Sequence, residues 1–269
     1  MAKKLTFMTI AVIVAAMLAA FQSAKAENSS LVKNIPQKNG LYDIPGHPGL
    51  KVRVFVHYPH VKPGPAPAPS EVCKLADPDS SAVVADAGWK LPQVWKYNLY
   101  LGNVPSSIGA ARFEQLTRNT FETWVNDTGV NVTVSKGDYA KSNQVMSADG
   151  NNLVTFGSAP RNALGVTYIF RQDGVLVGTD TILNQKMAWN WSDPSSWNEP
   201  TSSTTCAFNQ SYDAQNILTH EVGHWMGLDD HYAKTYKDNT MYGYGSQMET
   251  KKDTLTRGDL EGLMSIYSF

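Results

Sequence analysis

His220-Glu221-Val222-Gly223-His224-Trp225-Met226-Gly227-Leu228-Asp229-Asp230-His231 sets two imidazoles four residues apart with a carboxylate between them. Residues at that spacing stack on one face of a helix, so both rings can converge on one cation while Glu221 projects beside them. Gly227 can end the helix in a left-handed conformation closed to most side chains, which turns the chain so that a third ligand can return to the ion. Asp230 and His231 both stand where such a ligand is needed. Two histidines merely packed on a helix would leave Glu221 and Gly227 without a reason. A structural zinc site closes its fourth position with another protein side chain and has no use for a neighbouring carboxylate, so Glu221 points to a general base at an ion with one open position.

The surroundings fit a helix at this place. Asp213 can cap it, and Ile217, Leu218 and Val222 continue it to the stop at Gly227. Downstream, Met241 lies in Thr240-Met241-Tyr242-Gly243-Tyr244, and a last helix is announced by Thr256 with Asp259 three residues on, presenting Leu260, Leu263, Met264 and Tyr267. Upstream, strands are expected at Val94 to Leu101, Val130 to Ser135 and Leu153 to Phe156, with a hairpin of Val166 to Phe170 and Val175 to Leu183 around Asp173-Gly174. A helix capped by Ser107 carries Phe113, Leu116, Thr120 and Trp124 at core spacing. Strands and helices in this order make an α+β fold.

The chain begins like an export signal: Lys3 and Lys4 precede an apolar run from Leu5 to Phe21 that ends in Ala24-Lys25-Ala26. Residues 1–26 are therefore read as a signal, 27–70 as an N-terminal segment with a Pro-rich linker, and 71–269 as the main domain. The expected location is secreted or periplasmic, with no membrane span once the signal is gone. The formal net charge is −1, and loss of the signal removes three lysines and no acid, so nothing suggests a nucleic-acid surface. Cys73 and Cys206 are the two cysteines, and in an exported chain an even count favours a disulfide between them. Val52 to His57 is a strand-like run ahead of the linker, and His47, His57 and His60 read as surface or strand residues rather than as a shield for the metal. Whether residues 27–70 form an inhibitory propeptide or an arm packed on the domain stays open, as does the oligomeric state.

From His220 to Asp230, then Met241 to Gly245, then Leu255 to Tyr267, the chain resembles the matrixin-type metzincins, and more narrowly the bacterial ones that share an aspartate third ligand with snapalysin. The resemblance runs from about Cys73 to Phe269. It implies a metzincin-type catalytic domain: a twisted, mostly parallel sheet of about five strands with one antiparallel edge strand, an active-site helix and a C-terminal helix. It implies one catalytic Zn2+ on His220, His224 and Asp230, with His231 the alternative third ligand, and Met241 in the methionine turn below the ion. Val166 to Phe170 would be the edge strand along which extended polypeptide substrates pair, and Tyr242 and Tyr244 would stand near the substrate pocket. The implied activity is peptide-bond hydrolysis by a zinc-bound water activated by Glu221. Cys73 does not have the surroundings of the latency cysteine known from matrixin propeptides. Structural Ca2+, common in the family, stays open, since Asp173 and Asp180 are too few and scattered to show a calcium loop. An extracellular binding module that keeps zinc for stability, or a zinc hydrolase acting on something other than peptides, are the competing classes.

Overall fold

The computed structural model describes residues 35–60, 79–126, 128–145, 149–193 and 210–268. Cys73 and Cys206, and with them the expected disulfide, lie outside the described residues, as does the export segment. The elements in chain order are β1 (Gly40–Asp43), β2 (Leu50–Pro59), β3 (Val94–Tyr100), α1 (Ala110–Val125), β4 (Thr133–Tyr139), β5 (Leu153–Gly157), β6 (Gly165–Gln172), β7 (Val175–Asn184), β8 (Trp189–Asn190), β9 (Tyr212–Asp213), α2 (Ala214–Trp225), β10 (Tyr244–Gly245) and α3 (Arg257–Tyr267). No helix among the described residues is long and apolar enough to cross a membrane.

The main sheet runs β1-β2-β6-β7-β5-β3-β4, with β10 paired to β2. Its inner part is the α+β arrangement expected: β4, β3, β5 and β7 are parallel, and β6 is antiparallel to β7. The β6–β7 turn holds Asp173 at φ 51° and Gly174 at φ 87°, the two left-handed residues that a tight hairpin of right-handed twist requires. One expectation is overturned: Val166 to Phe170 is not at the edge. The run Val52 to His57, which reads as an isolated strand ahead of the linker, is the middle of β2, which lies antiparallel along β6, and β1 closes the outside. Only partner strands decide where a sheet ends, and the two strands concerned are more than a hundred residues apart in the chain.

Two local expectations also shift. Ser107 does not cap α1, because Pro105 O accepts from the N–H groups of Ile108 and Gly109 and holds Ser107 in a turn ahead of the helix. The fourth strand starts at Thr133 rather than Val130, since its register is set by pairing with Val94 onward. α3 has the capping box of Thr256 and Asp259, yet its most buried apolar face is Leu263 and Ile266 with Gly258 and Gly262. A Cβ on those glycines would lie 2.1 Å from Ala82 O and 2.4 Å from Val84 O, so the incoming chain near residues 82–84 packs on the helix backbone itself.

Two apolar layers result. One lies between the sheet and the helices and includes Phe113, Leu116, Trp124, Ile169, Val222, Trp225, Met241 and Leu263. The other covers the opposite face of the outer strands, with Val52, Val54, Val56, Val166, Tyr168 and Phe170. Every residue of α2 is buried, which is unusual for a helix that carries so many polar side chains and makes any of their atoms left without a partner informative.

Candidate metal centre

α2 begins where Asp213 accepts hydrogen bonds from the N–H groups of Gln215 and Asn216, as its cap position predicts. It ends after Trp225, and Gly227 takes φ 99°. A Cβ on Gly227 would sit 2.1 Å from Trp89 O, so this turn excludes a side chain both by conformation and by space. The reversal carries Asp230 back to the helix. One ligand atom each from His220, His224 and Asp230 comes within 4.8 Å of the others, a grouping that could hold a metal ion.

The tautomers of both rings are settled by their second nitrogens. His220 Nδ1 lies 2.8 Å from Thr240 O, and His224 Nδ1 lies 2.8 Å from Leu228 O. A carbonyl only accepts, so each Nδ1 donates and each Nε2 presents a lone pair inward, the arrangement found at histidine metal ligands. His220 Nε2 is 3.1 Å and His224 Nε2 3.5 Å from Asp230 Oδ1. All three atoms are buried and none has a hydrogen-bond partner. Lone pairs facing a carboxylate oxygen at this distance repel unless a cation lies among them, so the donor set fits zinc, which takes imidazole nitrogen and carboxylate oxygen. Burial pulls His220 down to about 4, which keeps its ring neutral as a ligand must be. Burial opposes the charged forms of His224 and Asp230, yet each favours the other's charge, which raises His224 and holds Asp230 well below the ordinary range, so the space between them favours a positive charge.

His231 is directed elsewhere. Its Nε2 accepts from the Ala85 N–H at 2.8 Å and its ring stacks on Tyr236, so the one-residue step past Asp230 turns it away from the pair. Asp229 fixes the turn, accepting from the Asp230 N–H at 3.0 Å.

Glu221 stands beside the grouping with Oε2 accepting from Thr167 Oγ1 at 2.6 Å, while Oε1 is buried and has no hydrogen-bond partner. Burial pushes its carboxyl up to about 7. Gly165 leaves the room: a Cβ there would lie 2.7 Å from Glu221 Oε1. Below the site, Met241 is fully buried and a Cβ on Gly223 would strike its Sδ at 2.2 Å, so α2 and the Met241 turn are in direct contact. The turn is anchored from α3, because Asp259 accepts from the N–H groups of Thr240 and Met241. Tyr242 and Tyr244 pack edge to face, their ring centroids 5.6 Å apart, next to β10.

Sequence reading missed Thr167, whose place in an alternating strand carried no signal, and it missed where β2 docks, though not that Val52 to His57 is strand-like. Phe55 stacks on His224 with ring centroids 3.7 Å apart, and His57, buried, has its ring centroid 4.0 Å from that of His220. His57 is therefore neither a surface residue nor an ordinary strand residue.

The matrixin family matches residues 89–268, and the chain belongs to that family. Matrixins are zinc-dependent endopeptidases, so the class to which fold and site point is a metalloprotease. A search of curated proteins gave no match.

Proposed function

We propose that this chain is a secreted or periplasmic endopeptidase in which His220, His224 and Asp230 hold the zinc ion and Glu221 is the general base. The observation that supports it is the convergence of three buried, unpartnered ligand atoms beside a buried carboxylate oxygen that is equally unpartnered. The aspartate in third place follows the snapalysin pattern, and His231, held by the Ala85 N–H, serves the turn. Export rests on residues 1–26.

When bound, zinc supplies Lewis acidity that polarises a carbonyl and acidifies water. Everything else falls to the chain's own groups. Thr167 Oγ1 holds Glu221 Oε2 in place, which leaves Oε1 free to take a proton from the attacking water and later to give it to the departing amine. Thr240 O and Leu228 O keep the two imidazoles oriented. An extended polypeptide would pair through main-chain hydrogen bonds with the side of β6 that β2 covers, once that strand is displaced, with Tyr242 and Tyr244 beside the pocket for one of its side chains.

The test is zinc content and casein cleavage by the chain from Glu27, by Glu221→Gln and by chelated protein. Because β2 lies along β6, the variant Val54→Asp, which weakens docking of that strand, is measured alongside. One zinc per chain with cleavage abolished by Glu221→Gln and by chelation is expected. Folded, zinc-loaded protein that stays silent in every form, Val54→Asp included, would leave a zinc-stabilised binding module as the better reading.

A further inference from the structure

β2 occupies the place that an extended substrate needs. It pairs antiparallel with the whole of β6, from Leu50 opposite Gln172 to His57 opposite Gly165. Its end also pairs in parallel with β10, Tyr58 opposite Tyr244 and Pro59 opposite Gly245. Leu164 N–H donates to His57 O at 2.7 Å and His60 N–H to Gly245 O at 3.0 Å, so the strand is held between β6 and β10 as a peptide in a cleft is held. Its inward side chains cover the candidate site. Phe55 lies flat on the His224 ring, His57 Nδ1 is 3.5 Å from Glu221 Oε1, and Arg53 reaches Asp229, the residue before the third candidate ligand. The family match starts at residue 89, so the site and the five inner strands belong to the shared fold while β2 is an addition laid upon it. No second edge offers itself nearby: the outermost strand is β1, four residues long, and a peptide added outside it would lie roughly 10 Å further from Glu221.

From these contacts we infer that β2 is an internal occupant of the substrate edge, and that this fold is a self-occluded form in which β2 must leave β6 before a polypeptide can enter. The inference rests on the endopeptidase reading for its consequence, not for its geometry. A tethered strand competes at an effective concentration on the order of millimolar, enough to exclude ordinary peptide substrates. Release is prepared by the strand's own chemistry. His57 is buried beside another imidazole and Glu221 Oε1 with neither ring nitrogen hydrogen-bonded to the protein, so no side-chain hydrogen bond of this residue has to break when the strand leaves. The holding force is apolar and lies on the other face, where Val52, Val54 and Val56 enter the second cluster.

Two measurements on the full chain from Glu27 decide it. The first is hydrogen exchange of the zinc-loaded protein. Amides of β2 should exchange at least about 10-fold faster than those of β7, because β2 opens alone. Equal rates would make β2 a permanent strand and overturn the inference, whatever the protein does catalytically. The second is a lock. Lys51→Cys with Arg171→Cys, at paired positions, is oxidised and the new bond verified by peptide mapping, with the unsubstituted chain taken through the same oxidant and reductant. Casein cleavage should fall at least about 10-fold in the locked form and return on reduction. A locked form as active as the reduced one also overturns the inference while leaving the endopeptidase reading intact. Fast exchange of β2 with no cleavage in any form, the Val54→Asp variant included, does the reverse: the occlusion stands and the endopeptidase reading falls.

Discussion

The two walls of the candidate metal centre are built to different standards. On the side of α2, the Met241 turn and α3, the groups behind the candidate ligand atoms are tied by hydrogen bonds: Thr240 O and Leu228 O take the imidazole protons, Asp259 takes three backbone N–H groups at the turn and cap, and Asn239 Nδ2 reaches Ala82 O and Thr256 Oγ1. Where β2 meets α2, His57 Nδ1 and Nε2 and the facing Glu221 Oε1 have no hydrogen-bond partner in the protein. A buried polar group left unsatisfied costs about 1–3 kcal/mol. The first wall is thus a fixed frame, and the second is a cover whose seat is incomplete.

That contrast can be broken at several points. Glu221→Gln keeps the shape of the frame and removes the base, so the rate of casein cleavage should fall about 10²- to 10⁴-fold with zinc content unchanged. If zinc were lost instead, Glu221 would belong to the frame. Asp259→Asn withdraws the carboxylate that anchors Thr240 and Met241, and through them His220. Zinc affinity should drop about 10- to 100-fold in a chelator competition, whereas an unchanged affinity would mean that the frame does not transmit to its ligands. His57→Leu replaces the unsatisfied ring by an apolar side chain of suitable volume. Thermal stability should rise by about 1–3 kcal/mol and β2 exchange should slow, the opposite of what a substitution in the frame would do.

The smallest effect concerns the base of α2. Asp213 is pushed up to about 7 by burial, in spite of the N–H groups of Asn216, Ser192 and Gln215. Asp253 is raised well above the ordinary range by burial and then by Asp213, and its oxygens accept no hydrogen bond. Three donors favour the charge on Asp213, so of the two acids Asp253 is the one that more readily keeps its proton. Both acids have folded values above their unfolded ones. The folded chain therefore binds more protons than the unfolded chain between about pH 4 and pH 7, and stability is lost as the pH rises through that window. Asp253→Asn should melt at the same temperature as the unsubstituted chain near pH 4 and above it at pH 7. Parallel melting curves across the window would show that Asp253 is not strained.

Much of the site could be read before any fold was known, because its information is local. Spacing on one helix brings His220 and His224 together, a glycine that must take positive φ turns the chain, and Asp213 and Thr256 cap by bonds that span two or three residues. The choice between Asp230 and His231 was not local in this sense. It depends on the Ala85 N–H, which occupies His231 from a segment some 146 positions away.

The cover was beyond sequence altogether. An alternating apolar run at Val52 to His57 specifies a strand and two faces, but main-chain hydrogen bonds are the same for any partner, so the run does not say which edge it will join. The sequence alone determined the spacing of the candidate ligands, the caps and the order of strands and helices. Tertiary structure alone decided that β6 is an interior strand, that Thr167 grips Glu221, and that His57 lies over the metal centre, because each of these depends on which distant surfaces meet when the apolar layers close.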